Sequence, residues 1–206
     1  MGAGEAGVKP HISSSDLLIA ADGGYDSLTA MGLVPDVIMG DLDSIKQTPE
    51  GVELISFPVR KDYTDMHLCY LEGKRRGADR FFLYGGTGGR ADHTFANYSL
   101  LLYAKNQGDE AYLIDGESFC FVLKNERVIL PASIGDNVSV FAFGMDATVS
   151  IRGLEYECDK LTISQDMPIG VSNSSVNTAG EIEVFEGAVL VMIRGDFEKF
   201  KGSLDK

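Results

Sequence analysis

Two periods divide the chain. Up to about residue 117, short apolar runs alternate with stretches whose apolar positions recur every three or four residues, the alternation expected of βα units. The apolar runs predict strands at 17–21, 37–39, 52–57, 80–84 and 110–114. The helical spacing predicts helices at 25–31, from a Thr64 cap to about Arg76, and at 91–106. The second of these carries Asp65 in its first turn and Lys74, Arg75 and Arg76 in its last, matching the helix dipole at both ends. From Ser118 onward the helical spacing gives way to short alternating segments at 118–124, 127–130, 137–142, 148–151, 160–164, 181–185 and 188–193, the last two flanking the hairpin signal Glu186-Gly187. The expectation is an N-terminal parallel-sheet α/β domain over 1–117, followed by a C-terminal antiparallel β-sandwich over 118–206.

Composition narrows the partners. The 206 residues carry 18 Lys plus Arg against 31 Asp plus Glu, a net charge of -13, and the acidic excess is present in both halves. A protein that grips a nucleic-acid backbone needs a basic face, so no nucleic-acid partner is expected. No apolar run approaches the roughly 18 residues of a membrane span, so no membrane partner is expected either. Cys69, Cys120 and Cys158 are odd in number, far apart and without a CxxC pair, which predicts buried, reduced thiols. With no signal peptide at the start, a cytoplasmic setting is the expectation.

Candidate chemistry begins with the placement of carboxylates. Asp22 stands in Ala21-Asp22-Gly23-Gly24 directly after a predicted strand. Asp41 and Asp43 stand in Gly40-Asp41-Leu42-Asp43-Ser44 directly after the next, and Asp62 and Asp65 lie between a strand and a helix. In a parallel sheet these positions fall at the carboxyl edge, where ligands bind. Carboxylates about 5 Å apart would repel by roughly 3 kcal/mol per pair at an effective dielectric of about 20. A cation relieves that, and all-oxygen ligands suit Mg²⁺ or Ca²⁺, with Mg²⁺ favoured where a phosphate shares the ion. The alternative is that the aspartates are caps and turn residues, which suffices for Asp26 and Asp36.

A second feature is Gly85-Gly86-Thr87-Gly88-Gly89-Arg90-Ala91-Asp92-His93, between a strand and a helix. Glycines let the backbone approach an anion, the helix start offers N–H groups, and Arg90 can fork onto phosphate oxygens. No Gly-Lys-Ser/Thr follows, so this is not a Walker A loop. Gly86-x-Gly88-x-x-Ala91 with Asp109 fits the loose dinucleotide fingerprint, but it follows a late strand and Asp109 precedes its strand rather than ending it. His93 and Asn97 lie one turn apart on the following helix and, with Asp92, are candidates to border the same pocket. His11 and His67 have no motif and are expected at the surface or in packing. In the second half, Gly170-Val171-Ser172-Asn173-Ser174 reads by itself as a turn.

Together and in this order, these motifs resemble the thiamine pyrophosphokinase (thiamine diphosphokinase) family over nearly the whole chain. The resemblance rests on Ala21-Asp22-Gly23-Gly24, Gly32-x-x-Pro35-Asp36 leading into Gly40-Asp41-Leu42-Asp43-Ser44, Lys61-Asp62-Tyr63-Thr64-Asp65, the glycine segment with Asp92, His93 and Asn97, and Gly170-Val171-Ser172-Asn173. It implies pyrophosphoryl transfer from ATP to the hydroxyl of thiamine, giving thiamine diphosphate and AMP. It further implies Mg²⁺ held by Asp41, Asp43 and Asp62, with Asp65 a further ligand or an orienter. Asp22, Gly23 and Gly24 would shape the nucleotide end. Gly86, Thr87, Gly88, Gly89 and Arg90 would cradle phosphate, with Asp92, His93 and Asn97 orienting the loop or the substrates. Ser172 and Asn173 would contact thiamine across a homodimer interface. Two departures accompany the resemblance: the strand that the family places before Gly2-Ala3-Gly4-Glu5 is absent, and Ser174 stands where the family often has a glutamate. Two other readings remain beside it, a thiamine- or nucleotide-binding module without turnover and a nicotinamide-dependent oxidoreductase built on the Gly86 loop.

Overall fold

The computed structural model describes residues 9–21, 23–40, 50–57, 62–132, 134–176 and 179–204, with the backbone alone at 135 and 136. In chain order the elements are β1 (Ile19–Ala21), α1 (Gly24–Ala30), β2 (Val37–Gly40), β3 (Glu53–Ser56), α2 (Asp65–Arg75), β4 (Arg80–Tyr84), α3 (Ala91–Asn106) and β5 (Glu110–Asp115). Then follow β6 (Ser118–Lys124), β7 (Arg127–Leu130), β8 (Gly135–Ala142), β9 (Ala147–Arg152), β10 (Cys158–Ile163), β11 (Gly180–Glu186), β12 (Ala188–Gly195) and α4 (Phe197–Leu204). The strands form three sheets, ordered β1-β2-β3, β10-β9-β11-β7 and β4-β5-β6-β12-β8. By compactness the chain divides into two units, 1–100 with 113–116, and 101–112 with 117–206.

In the first unit β1, β2 and β3 are parallel. β2 is buried along its whole length, and its side chains alternate between two helical layers. Ile38 meets Leu28 of α1 on one face, while Val37 and Met39 meet Cys69 of α2 on the other. α2 also lies against β4 at close range: a Cβ on Gly73 would stand 2.8 Å from Phe81 Cε1, so glycine is what lets helix and strand touch. The expected Thr64 cap is present, its hydroxyl accepting from His67 N at 3.2 Å. Asp36 is a structural residue, as expected, accepting from Leu18 N at 2.8 Å. That bond falls just ahead of β1, which is two residues shorter than predicted.

In the second unit, β7, β9, β10 and β11 pair antiparallel. Val128, Leu130, Val149, Ile151, Ile182 and Val184 make the buried face. The opposite face is charged, with Arg152 reaching Glu181 at 2.7 Å and Glu183 at 3.3 Å. β12 pairs antiparallel with β6 and with β8. The structure adds α4, which the apolar spacing does not predict. Its Phe197 and Phe200 are buried in an aromatic cluster with Tyr112, Phe119 and Phe121. Cys69 and Cys120 are buried and in no disulfide, whereas Cys158 is only half-buried. No helix among the described residues is long and apolar enough to cross a membrane.

Candidate active site

Two places gather the chemistry of the first unit. At the first, β1, β2 and β3 end side by side: Ala21 pairs with Met39, Met39 with Ile55, and Gly40 with Ser56. Parallel strands put all three carboxyl ends on one edge. The sequence leaves that edge with Asp22 after β1 and with Asp41 and Asp43 after β2. Asp22, Asp41 and Asp43 themselves lie outside the described residues. After β3 the chain reaches Asp62, exposed in the bend before α2, and Asp65, half-buried as the first residue of that helix. Among the described residues no group of three or more His, Cys, Asp or Glu side chains stands ready to hold a metal. Of the expected ligands Asp62 is described, beside Asp65 as the further ligand or orienter, and such carboxylate oxygens fit a hard divalent cation that keeps part of its water.

His67 belongs to packing. Its ring meets Tyr63 edge-on at 4.7 Å between centroids, and burial lowers its pKa, favouring the neutral imidazole.

The second place is the glycine segment between β4 and α3. Gly85, Gly88 and Gly89 adopt φ of +65°, +77° and +66°, a region that disfavours any side chain. Among the described residues nothing lies within 4 Å of a Cβ placed on Gly88 or Gly89, so their open side is bare backbone. Gly86 is glycine for another reason, because a Cβ there would collide with Leu113 of β5 and crowd Asn97 Nδ2 at 3.1 Å. Asn97, 6% exposed on α3, donates through Nδ2 to Gly86 O at 2.6 Å. Thr87 Oγ1 donates to Asp115 Oδ2 at the end of β5. Arg90 forks onto Asp92, Nη2 to Oδ2 at 2.5 Å and Nε to Oδ1 at 3.1 Å, with both side chains exposed. The hydrogen bond from Arg90 holds the Asp92 carboxyl below its usual pKa, and the same bond raises that of Arg90. His93 is exposed in the first turn of α3.

The structure thus brings Gly86, Thr87 and Asn97 together in one hydrogen-bonded loop and joins Arg90 to Asp92. Gly23 precedes α1 as its N-cap and Gly24 is buried as its first residue. Asp115 is the residue that the sequence reading missed. Its signal is positional, an aspartate closing a strand in the way Asp22 and Asp41 follow theirs. Asp109 is buried ahead of β5, away from a strand's carboxyl end.

In the second unit, residues 170–173 run along the outer side of β8. Val140 N donates to Gly170 O at 2.9 Å, and Val138 and Asn173 exchange bonds of 2.8 and 2.9 Å. A Cβ on Gly170 would strike Val140 O, so that approach requires glycine. Ser172 is exposed at φ +59° and its N–H donates to Ser139 Oγ at 3.1 Å. Asn173 is buried, and its amide is engaged within the chain: Oδ1 accepts from Tyr156 N and Ser174 N, each at 2.9 Å, and Nδ2 donates to Tyr156 O at 2.7 Å. The two residues therefore differ, Ser172 presented outward and Asn173 holding the turn that presents it.

Comparison with known proteins agrees with this layout. The profile of the thiamin pyrophosphokinase catalytic domain matches residues 8–113, and that of the thiamin pyrophosphokinase vitamin B1 binding domain matches residues 126–189. The thiamine pyrophosphokinase of Bacillus subtilis strain 168 is 27% identical over 186 residues, 86% of each chain. The crystal structure of thiamine pyrophosphokinase from Bacillus subtilis superposes with a TM-score of 0.82 at 22% identity over 90% of both chains. That of a thiamin pyrophosphokinase family protein from Enterococcus faecalis superposes at 0.79 and 24%, over 94% of this chain and 96% of that one, and these two likenesses speak for the fold. Because the two profiles fall in order on the parallel-sheet unit with its glycine loop and on the antiparallel unit with its Ser172 turn, the chain belongs to the thiamin pyrophosphokinase family, transferases that make thiamine diphosphate from thiamine.

Proposed function

We propose that the chain transfers the pyrophosphoryl group of ATP to the hydroxyl of thiamine, releasing AMP, in a Mg²⁺-dependent reaction. The observation that carries this reading is the glycine loop, bare at Gly88 and Gly89, fixed by Asn97 and set at the N-terminus of α3. The hydroxyl oxygen of thiamine attacks the β-phosphorus and gives up its proton to solvent, the bond from that phosphorus to the oxygen bridging to the α-phosphorus breaks, and AMP leaves with the bridging oxygen. Such a step depends on neutralising adjacent phosphates and on alignment more than on covalent help. When bound at Asp41, Asp43 and Asp62, the metal would supply that neutralisation, with Asp65 as a further ligand or an orienter. Asp22, Gly23 and Gly24 bound the nucleotide end, and the backbone of residues 86–89 cradles phosphate. Arg90, paired with Asp92, reaches phosphate by exchanging one carboxylate partner for another anion, and His93 lies at the same helix start. Ser172 faces thiamine, with Asn173 beside it.

The wider arrangement proposed is a cytoplasmic homodimer, with residues 1–117 handling nucleotide, 118–206 handling thiamine, and the thiamine pocket completed across subunits. The family membership supports it. Incubating the protein with ATP, Mg²⁺ and thiamine is expected to yield AMP and thiamine diphosphate in equal amounts. Thiamine binding without AMP would overturn the enzyme in favour of a binding module.

A further inference from the structure

Thr87 is the one side chain between Gly85 and Arg90, and its hydroxyl proton is given to Asp115. A hydroxyl has a single proton, so none is left for a phosphate oxygen. The adjacent residue is held as well, Asn97 of α3 binding Gly86 O. Two consecutive residues are thereby tied to two different elements, while Gly88 and Gly89 beyond them have open space among the described residues and a backbone only glycine adopts readily. Untied, so glycine-rich a segment would lose much conformational freedom on closing around a ligand, and that loss would weaken binding. We infer that Asp115 is a positioning residue for the phosphate donor, acting through Thr87 to preset the glycine loop whose backbone N–H groups meet the phosphates. The inference rests on reading that loop as the phosphate cradle. It assigns Thr87 to holding the loop rather than to touching the nucleotide.

The test uses the full chain. Binding of a non-hydrolysable ATP analogue with Mg²⁺ is measured by calorimetry, and KM is measured for ATP and thiamine separately. Thr87→Val keeps the shape and removes the donor, Asp115→Ala removes the acceptor, and Thr87→Ser and Asp115→Asn keep a hydrogen bond possible. Thr87→Val and Asp115→Ala are each expected to weaken analogue binding and raise the KM for ATP about tenfold, with the KM for thiamine unchanged. Thr87→Ser should stay within about twofold of the parent, and the double variant Thr87→Val/Asp115→Ala should be no worse than either single one, because both remove the same bond. Analogue binding by Thr87→Val equal to the parent, additive losses in the double variant, or equal rises in both KM values would each overturn the inference. A parent protein that binds no analogue would instead bring down the cradle reading itself, and the positioning role with it. Should Asp115→Ala fail to fold, Thr87→Val against Thr87→Ser carries the test, since only the first removes the donor.

Discussion

Glu72 shows what a single carboxylate can do in this acidic chain. It is 9% exposed on α2 and accepts from Arg75 at 2.6 and 2.7 Å and from Arg76 at 2.6 Å, while Arg76 also reaches Glu53 of β3 at 2.7 Å. The hydrogen bonds from Arg75 lead in bringing its pKa down to about 2 from 4.5. A depressed folded-state value means that its stabilisation is complete above pH 4.5 and drains away as the pH falls toward 2. Urea melts across that range should therefore show falling stability, and Glu72→Gln should cost about 1–3 kcal/mol at pH 7 and flatten the acid slope. Gly86→Ala is expected to act twice, destabilising by about 1–3 kcal/mol through the collision with Leu113 and weakening nucleotide binding through the displaced loop. Asp43→Asn should do the reverse of a packing change, lowering turnover by more than about a hundredfold with a melting temperature near that of the parent. A loss of fold in step with activity would return Asp43 to the role of turn residue. At this scale residue types were legible but partners were not: nothing in the sequence says that Thr87 turns to Asp115, that Arg90 closes on Asp92, or that Asn173 is occupied by Tyr156.

Among the elements, local period carried most of the reading. β4, β6, β7 and α3 begin and end where spacing and flanking turns put them, because each is bounded by glycine, asparagine or a short polar stretch. α4 escaped for the opposite reason. It is eight residues long, follows the apolar β12 closely, and shows a helical period through little more than Phe197 and Phe200. Its legible signal was the cap: Asp196 accepts from Glu198 N at 3.0 Å and from Lys199 N at 3.3 Å. Phe200 is fully buried, 5.0 Å from both Phe119 and Phe121 between ring centroids. Phe200→Ala should cost about 3–5 kcal/mol in a denaturant melt, whereas Lys201→Ala on the same helix should be nearly silent.

For the molecule as a whole, -13 describes the surface more than the chemistry. An acidic protein can still handle a triphosphate if its carboxylates are held by metal, since the ion then inverts the local sign. Chelation should therefore abolish turnover while leaving the far-ultraviolet dichroism unchanged, and added Mg²⁺ should restore it. Activity indifferent to EDTA would remove the metal from the proposal. The order of motifs along the chain was legible without a structure because each sits at a strand end or a turn, where backbone geometry restricts the residue. The depth at which Asn97 and Asn173 are buried was not, since a polar side chain spent on the backbone looks in sequence like one offered to a ligand.

The turn carrying Ser172 has a second consequence. β8 is the last strand of its sheet, and residues 170–173 take up hydrogen bonds along the rim it would otherwise offer. A rim of unpaired amides is a template on which other chains can add. The turn that presents Ser172 also covers that rim, and mutations that loosen it should bring turbidity in concentrated solution together with a raised KM for thiamine.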